Sequence, residues 1–243
     1  CTNPTLNKIL WYNNLDLSGS VQSLSVSPQG PSLSTPLVIY PHSGDRSVIF
    51  TTLKLTGGSS VIQGRVNSSG IMSVAATDNH PADVQASPAL VRRGTEQRFV
   101  VGDATGAIFM YKLDVSNLMT LDSSYAPTGA DGPIKGLASM NGIDTGTGDF
   151  YNWAVWSTDT KVHGIKYTDT GKFDLTTYWV TSVPSPAISG KGPSSPVLLV
   201  YGGTDAPIRA YVGAGDGKLY VIDVAGSTAP TVAAPGKIRS NTE

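Results

Sequence analysis

The chain repeats a two-stranded unit. The segment Arg209-Ala-Tyr-Val-Gly-Ala-Gly-Asp-Gly-Lys-Leu-Tyr-Val-Ile-Asp223 has an imperfect earlier copy, Arg98-Phe-Val-Val-Gly-Asp-Ala-Thr-Gly-Ala-Ile-Phe-Met-Tyr-Lys-Leu-Asp114. In each copy a β-branched and aromatic run meets a Gly-x-x-x-Gly turn, and a second alternating run closes on an Asp, which predicts a hairpin of half-buried strands. An isolated hairpin is marginal in water, so several must pack together.

The flanks extend the repeat. Ser87-Pro88-Ala-Leu-Val91 precedes one hairpin and Ser195-Pro196-Val-Leu-Leu-Val200 the other. A weaker copy runs from Thr35-Pro36-Leu-Val-Ile-Tyr40 to Ser47-Val-Ile-Phe50. Another runs from Gly136-Leu-Ala-Ser139 through Asn152-Trp-Ala-Val-Trp156 to Lys161-Val-His-Gly-Ile-Lys-Tyr167. With Thr51, Gly102, Trp156 and Gly213 as equivalent points the period is roughly 50 to 57 residues, the range of propeller blades and not of helical repeats. No window keeps an i, i+3, i+4, i+7 apolar pattern for three turns. The expectation is an all-β propeller of about four blades over residues 8–223, between a tether, 1–7, and a low-complexity tail, 224–243. The last copy shows no fourth strand after Asp223, so Lys8-Ile-Leu-Trp-Tyr-Asn-Asn-Leu-Asp-Leu17 is expected to complete it and leave fewer open edges. The alternative is an arc of a larger propeller, or a ring to which other chains supply further blades.

Composition narrows the function. Of 243 residues 40% are hydrophobic and only 14% charged, with net charge −1 and a single Cys. Neutral balance without a basic stripe argues against nucleic acid. No apolar stretch approaches the length of a membrane span. One Cys supplies neither a disulfide framework nor a thiolate metal site, and the Ser, Thr, Gly and Pro content suits an extracellular or periplasmic protein. Cys1 stands where a bacterial lipoprotein carries its lipid; a processing point or an intermolecular disulfide explains it as well.

The hairpin Tyr211-Val-Gly-Ala-Gly-Asp-Gly-Lys-Leu-Tyr-Val-Ile-Asp223 resembles the repeat of pyrroloquinoline-quinone (PQQ)-type propellers. These include quinone-dependent dehydrogenases, an outer-membrane assembly lipoprotein and type IV pilus adhesins; Val101-Gly-Asp-x-x-Gly-x-Ile-Phe109 is closest to the last. The resemblance covers two segments of about 15 residues and implies a fold, not an activity. The dehydrogenases' quinone, calcium and catalytic Asp find no counterpart here. The adhesins' calcium loop has a nearest equivalent in Asp144-Thr-Gly-Thr-Gly-Asp149, whose two carboxylates, Asp144 and Asp149, are too few for tight calcium binding. As a glycine-rich turn that loop needs no metal.

Catalytic patterns are lacking. His42 and His80 lie in turn-like sequence and His163 alternates within a strand; there is no Gly-x-Ser-x-Gly elbow and no His pair at zinc spacing. The expectation is therefore a protein that is not an enzyme and holds no cofactor. Aromatic residues offer surfaces for a protein or glycan partner: Trp11, Tyr12, Trp156, Tyr178 and Trp179. Trp153 and Trp156, three apart, face opposite sides of their strand, and Trp179 is expected to be exposed because an irregular stretch follows it. Asn67-Ser-Ser69 is an N-glycosylation acceptor sequence. The functional expectation is a non-catalytic scaffold, adhesion or assembly module of a bacterial or archaeal surface or periplasm. The alternative is a subunit of an extracellular filament or pilus whose ordered termini engage other copies of itself, and a quinone- or calcium-dependent enzyme ranks last.

Overall fold

A computed structural model describes residues 2–3, 8–12, 21–25, 32, 34–40, 45–55, 58–93, 96–128, 132–141, 152–168, 170–182, 196–200, 208–213, 219–224 and 232–236. Among them there is no helix, and the strands form five antiparallel sheets in chain order. The first holds β1 (Thr2–Asn3), β2 (Lys8–Tyr12) and β3 (Val21–Ser25). Each of the next four has four strands. They are β4 (Leu37–Ile39), β5 (Arg46–Leu55), β6 (Gly58–Val66) and β7 (Met72–His80); β8 (Ala89–Arg93), β9 (Glu96–Gly102), β10 (Ile108–Leu113) and β11 (Met119–Tyr125); β12 (Gly136–Met140), β13 (Trp153–Ser157), β14 (Lys161–Tyr167) and β15 (Phe173–Ser182); β16 (Val197–Val200), β17 (Ile208–Gly213), β18 (Leu219–Asp223) and β19 (Val232–Gly236).

Both hairpins of the repeat form as their alternation dictates. Gly102 pairs with Ile108 and Arg98 with Lys112 in one; Gly213 pairs with Leu219 and Arg209 with Asp223 in the other. In the second, Ile208, Ala210 and Val212 alternate with half-buried residues on β17, while Tyr220 and Ile222 do so on β18. Full burial of one such Ile or Val contributes roughly 1.5–3 kcal/mol, so the alternation fixes the register.

The edges differ from the sequence expectation. The last sheet has its own fourth strand, β19, paired to β18 through Val221↔Ala233 and Ile222↔Val232. Lys8–Tyr12 pairs with β1 and β3 instead of completing that sheet. Pro235 disguised β19 in the sequence, yet at the edge of a sheet a residue without an N–H is tolerated.

By its contacts the chain forms two compact units, Cys1–Ala104 with Ile108–Asp122, and Thr105–Ala107 with Ser123–Glu243. In the first, Ile39, Ile49, Val61 and Val84 pack with Phe99, Val101, Tyr111, Leu113 and Met119, joining two sheets in one core. Strands β4 and β8 run against each other there, and the Ser-Pro step joins them: Thr35 N donates to Ser87 Oγ at 2.8 Å. Buried Gln63 adds a polar tie, donating to Ser47 Oγ at 2.8 Å and to the Asn117 carbonyl at 2.6 Å while accepting from Met119 N at 2.8 Å. In the second unit, Trp153, Val155, Val162 and Trp179 pack with Ile208, Ala210, Val212, Tyr220, Ile222 and Val224.

Three turns into the outer strands share one construction. In Asn67–Ile71, Asp114–Leu118 and Thr168–Lys172 the first N–H donates to the fifth carbonyl and the fourth N–H to the first carbonyl, at 2.7 to 3.0 Å. The first side chain supplies an oxygen: Asn67 Oδ1 and Asp114 Oδ1 each accept two backbone N–H groups, and Thr168 Oγ1 accepts that of Lys172. The fourth residue takes positive φ, 75° at Gly70, 56° at Asn117 and 78° at Gly171. Gly and Asn adopt that region at least cost.

Candidate recognition site

The third four-stranded sheet carries two opposite faces of aromatic residues, as the three-residue spacing of Trp153 and Trp156 predicts. Trp153 joins the core of the second unit; Trp156 lies on the other face, directly across from His163. The Trp156 and His163 rings stack at 5.0 Å with an 8° interplanar angle. Tyr178, on β15, extends the stack, its ring 6.0 Å from His163 at 25° and its hydroxyl sharing a 2.8 Å hydrogen bond with His163 Nδ1. Tyr125, at the end of β11, meets this row from the side: its ring is 5.0 Å from Tyr178 at 52° and 6.5 Å from Trp156 at 70°.

Burial grades across the cluster. Trp156 and His163 are wholly buried, while Tyr125 and Tyr178 are half-buried. The Trp156 Nε1–H has no hydrogen-bond partner among the described residues although it is shielded from solvent. Burial raises the Tyr125 pKa, so its phenol stays protonated at neutral pH. The arrangement presents two phenol rings packed on Trp156 and His163, a surface able to stack on a sugar ring or clasp an apolar side chain.

Sequence reasoning found part of this. Trp156 and Tyr178 come together, but Trp156 is floor and not surface. Trp179 corrects the expectation of exposure: it is only 7% exposed and turned to the opposite face from Tyr178, across from Gly164. A Cβ on Gly164 would collide with the Trp179 indole, whose Nε1 lies 2.6 Å from that position. The glycine admits the indole into the sheet. Trp11 and Tyr12 lie on β2, but their side chains, like Asp144, Asp149 and Cys1, fall outside the described residues. Tyr125 and His163 were missed as members; the alternation of Lys161–Tyr167 placed His163 on the face of Trp156, and that was the available signal.

A second tyrosine and histidine meet in the first unit. Tyr111 donates to Asp78 Oδ2 at 2.6 Å, and its hydroxyl lies 2.6 Å from His80 Nε2. His80, expected in a turn, is instead the last residue of β7 and 5% exposed, with Phe109 edge-on at 4.5 Å. Burial lowers the His80 pKa against the opposing charges of Asp78 and Asp103. Burial and the Asp78 carboxylate raise that of Tyr111. These groups satisfy one another and join β7 to β10, which makes them a fastening between sheets. No group of three or more His, Cys, Asp or Glu suited to a metal occurs among the described residues.

No protein-family model matches the sequence, and no curated protein matches it. Solved structures do. Saccharomyces cerevisiae Sqt1 gives a TM-score of 0.57 at 11% identity over 98% of this chain and 59% of that one. A Lactobacillus plantarum protein gives 0.49 at 12% over 90% and 75%, and the fucose-specific lectin from Aleuria aurantia 0.48 at 12% over 92% and 65%. This chain thus spans about three-fifths of the Sqt1 chain. Sqt1 is a β-propeller, and at this identity the likeness shows the fold alone: the four four-stranded sheets are propeller blades. No family model of PQQ-type repeats matches the chain.

Proposed function

We propose that this chain is a non-catalytic propeller module of the bacterial or archaeal cell surface or periplasm, which binds a glycan or protein surface through Tyr125 and Tyr178. One observation carries the reading: two half-buried tyrosines, 5.0 Å apart, stand on a wholly buried Trp156–His163 stack. A buried aromatic floor fixes the rings in advance, so little side-chain entropy is lost on binding. The sparse charge and high hydroxyl content suit an exported scaffold, and blades resembling PQQ-type repeats are compatible with one.

The test compares the wild type with a Tyr125→Ala/Tyr178→Ala double variant on immobilised glycans and cell-surface proteins. The expected result is binding to one class, weakened at least about tenfold in the double variant, since each stacked ring contributes of the order of 1 kcal/mol. Undiminished binding by the variant overturns the site. A wild type that binds nothing and grows into long assemblies overturns the reading in favour of a filament subunit.

A further inference from the structure

The three equivalent turns separate what the fold requires from what one of them adds. At the first position the fold uses an oxygen acceptor and nothing else: Asn67 Oδ1, Asp114 Oδ1 and Thr168 Oγ1 do the same work. Asn67 alone brings an amide nitrogen as well. Both of its side-chain hydrogen bonds, to Ser69 N at 3.0 Å and Ile71 N at 2.9 Å, are made by Oδ1. Nδ2 has no partner among the described residues, and Asn67, Ser68 and Ser69 are all exposed. Asn67-Ser68-Ser69 is also the only Asn-x-Ser/Thr in the chain with x other than Pro.

We propose that Asn67 is an N-linked glycan acceptor, an inference that rests on the exported location proposed above. In the transfer Nδ2 attacks the anomeric carbon of a glycan carried on a polyprenyl phosphate or diphosphate. The N–C bond forms as the C–O bond to the lipid phosphate breaks, the phosphate leaves with that electron pair, and one amide proton passes to a base of the transferase. Nδ2 keeps its second hydrogen, and the Oδ1 lone pairs that hold the turn are untouched, so the fold accommodates the modification without rearrangement. The glycan would stand at the tip of an exposed turn.

The experiment is peptide mapping by mass spectrometry of the full chain from its own cells, with protease treatment of intact cells to report location. The expected result is an exported protein whose Asn67 peptide carries a saccharide mass. That mass should be lost in Asn67→Asp and in Ser69→Ala. Asn67→Asp should retain the wild-type thermal midpoint, because Asp114 already fills the equivalent place, and the Ser69 N–H persists in Ser69→Ala. An exported chain with Asn67 unmodified overturns this inference alone. A chain retained in the cytoplasm and unmodified overturns both it and the proposed location.

Discussion

Two tyrosine–histidine pairs in one chain have taken opposite forms. In the first unit Tyr111 is wholly buried and its hydroxyl lies between a carboxylate and an imidazole, with each polar group answered by another. In the second unit Tyr178 is half-buried, its histidine is stacked under Trp156, and that tryptophan's Nε1–H finds no acceptor among the described residues. Buried polar groups that satisfy one another hold sheets together, whereas an aromatic row open at one end leaves faces for something else to cover. The difference lies in one neighbour: Asp78 stands beside Tyr111, and a second tyrosine, Tyr125, stands beside Tyr178.

The comparison can be broken most forcefully at the floor of the aromatic row. Trp156→Ala should lower stability by about 3–5 kcal/mol in chemical denaturation, because a fully buried indole leaves a cavity that its neighbours close only partly. Next in size, Tyr111→Phe should cost about 1–3 kcal/mol, since Asp78 and buried His80 both lose their hydroxyl partner, while Tyr178→Phe, which breaks the single bond to His163, should cost about 1 kcal/mol. Equal losses from the two substitutions would dissolve the contrast between fastening and platform.

Acidity sharpens it further. Because burial holds His80 below the ordinary value of about 6.5, the unfolded chain binds more protons than the folded chain in the window beneath that value. Stability of the first unit should therefore fall as pH drops through it, by at most about 1.4 kcal/mol per pH unit. His80→Gln, whose amide can still donate to Tyr111, should flatten this dependence. An unchanged slope in the variant would place the acid sensitivity elsewhere.

The hairpins were legible because two independent signals agree there: strict alternation and glycines at both ends of the turn. The outer strands were not. Met72-Ser-Val-Ala-Ala-Thr-Asp-Asn-His80 is mostly polar or small, since one side of an outer strand meets water, and its periodicity is correspondingly weak. The turns leading into those strands share chemistry without sharing letters, an oxygen acceptor first and a residue tolerant of positive φ fourth, so a comparison of identities passes over them. Half of the site was legible: Trp156 and Tyr178 stood out as aromatic residues, whereas His163 reads as an ordinary strand residue until it is paired with Trp156, and Tyr125 comes from a different sheet, so only tertiary packing brings it in. Trp179 is buried against expectation because Gly164, its partner across the sheet, leaves room for the indole, a pairing that its neighbours in sequence do not reveal.

The recurring turn has a consequence for how a chain of this kind can change length. Its three examples differ in nearly every residue yet join their strands with the same backbone path. A genetic exchange with one breakpoint in the Asn67 turn and the other in the Asp114 turn would splice two ends that already match. The product would gain or lose one blade's worth of chain, with every strand still entering its sheet in register. Copy number in this architecture is thus free to drift at those joints, while drift of a single residue within a strand would turn its buried face to water.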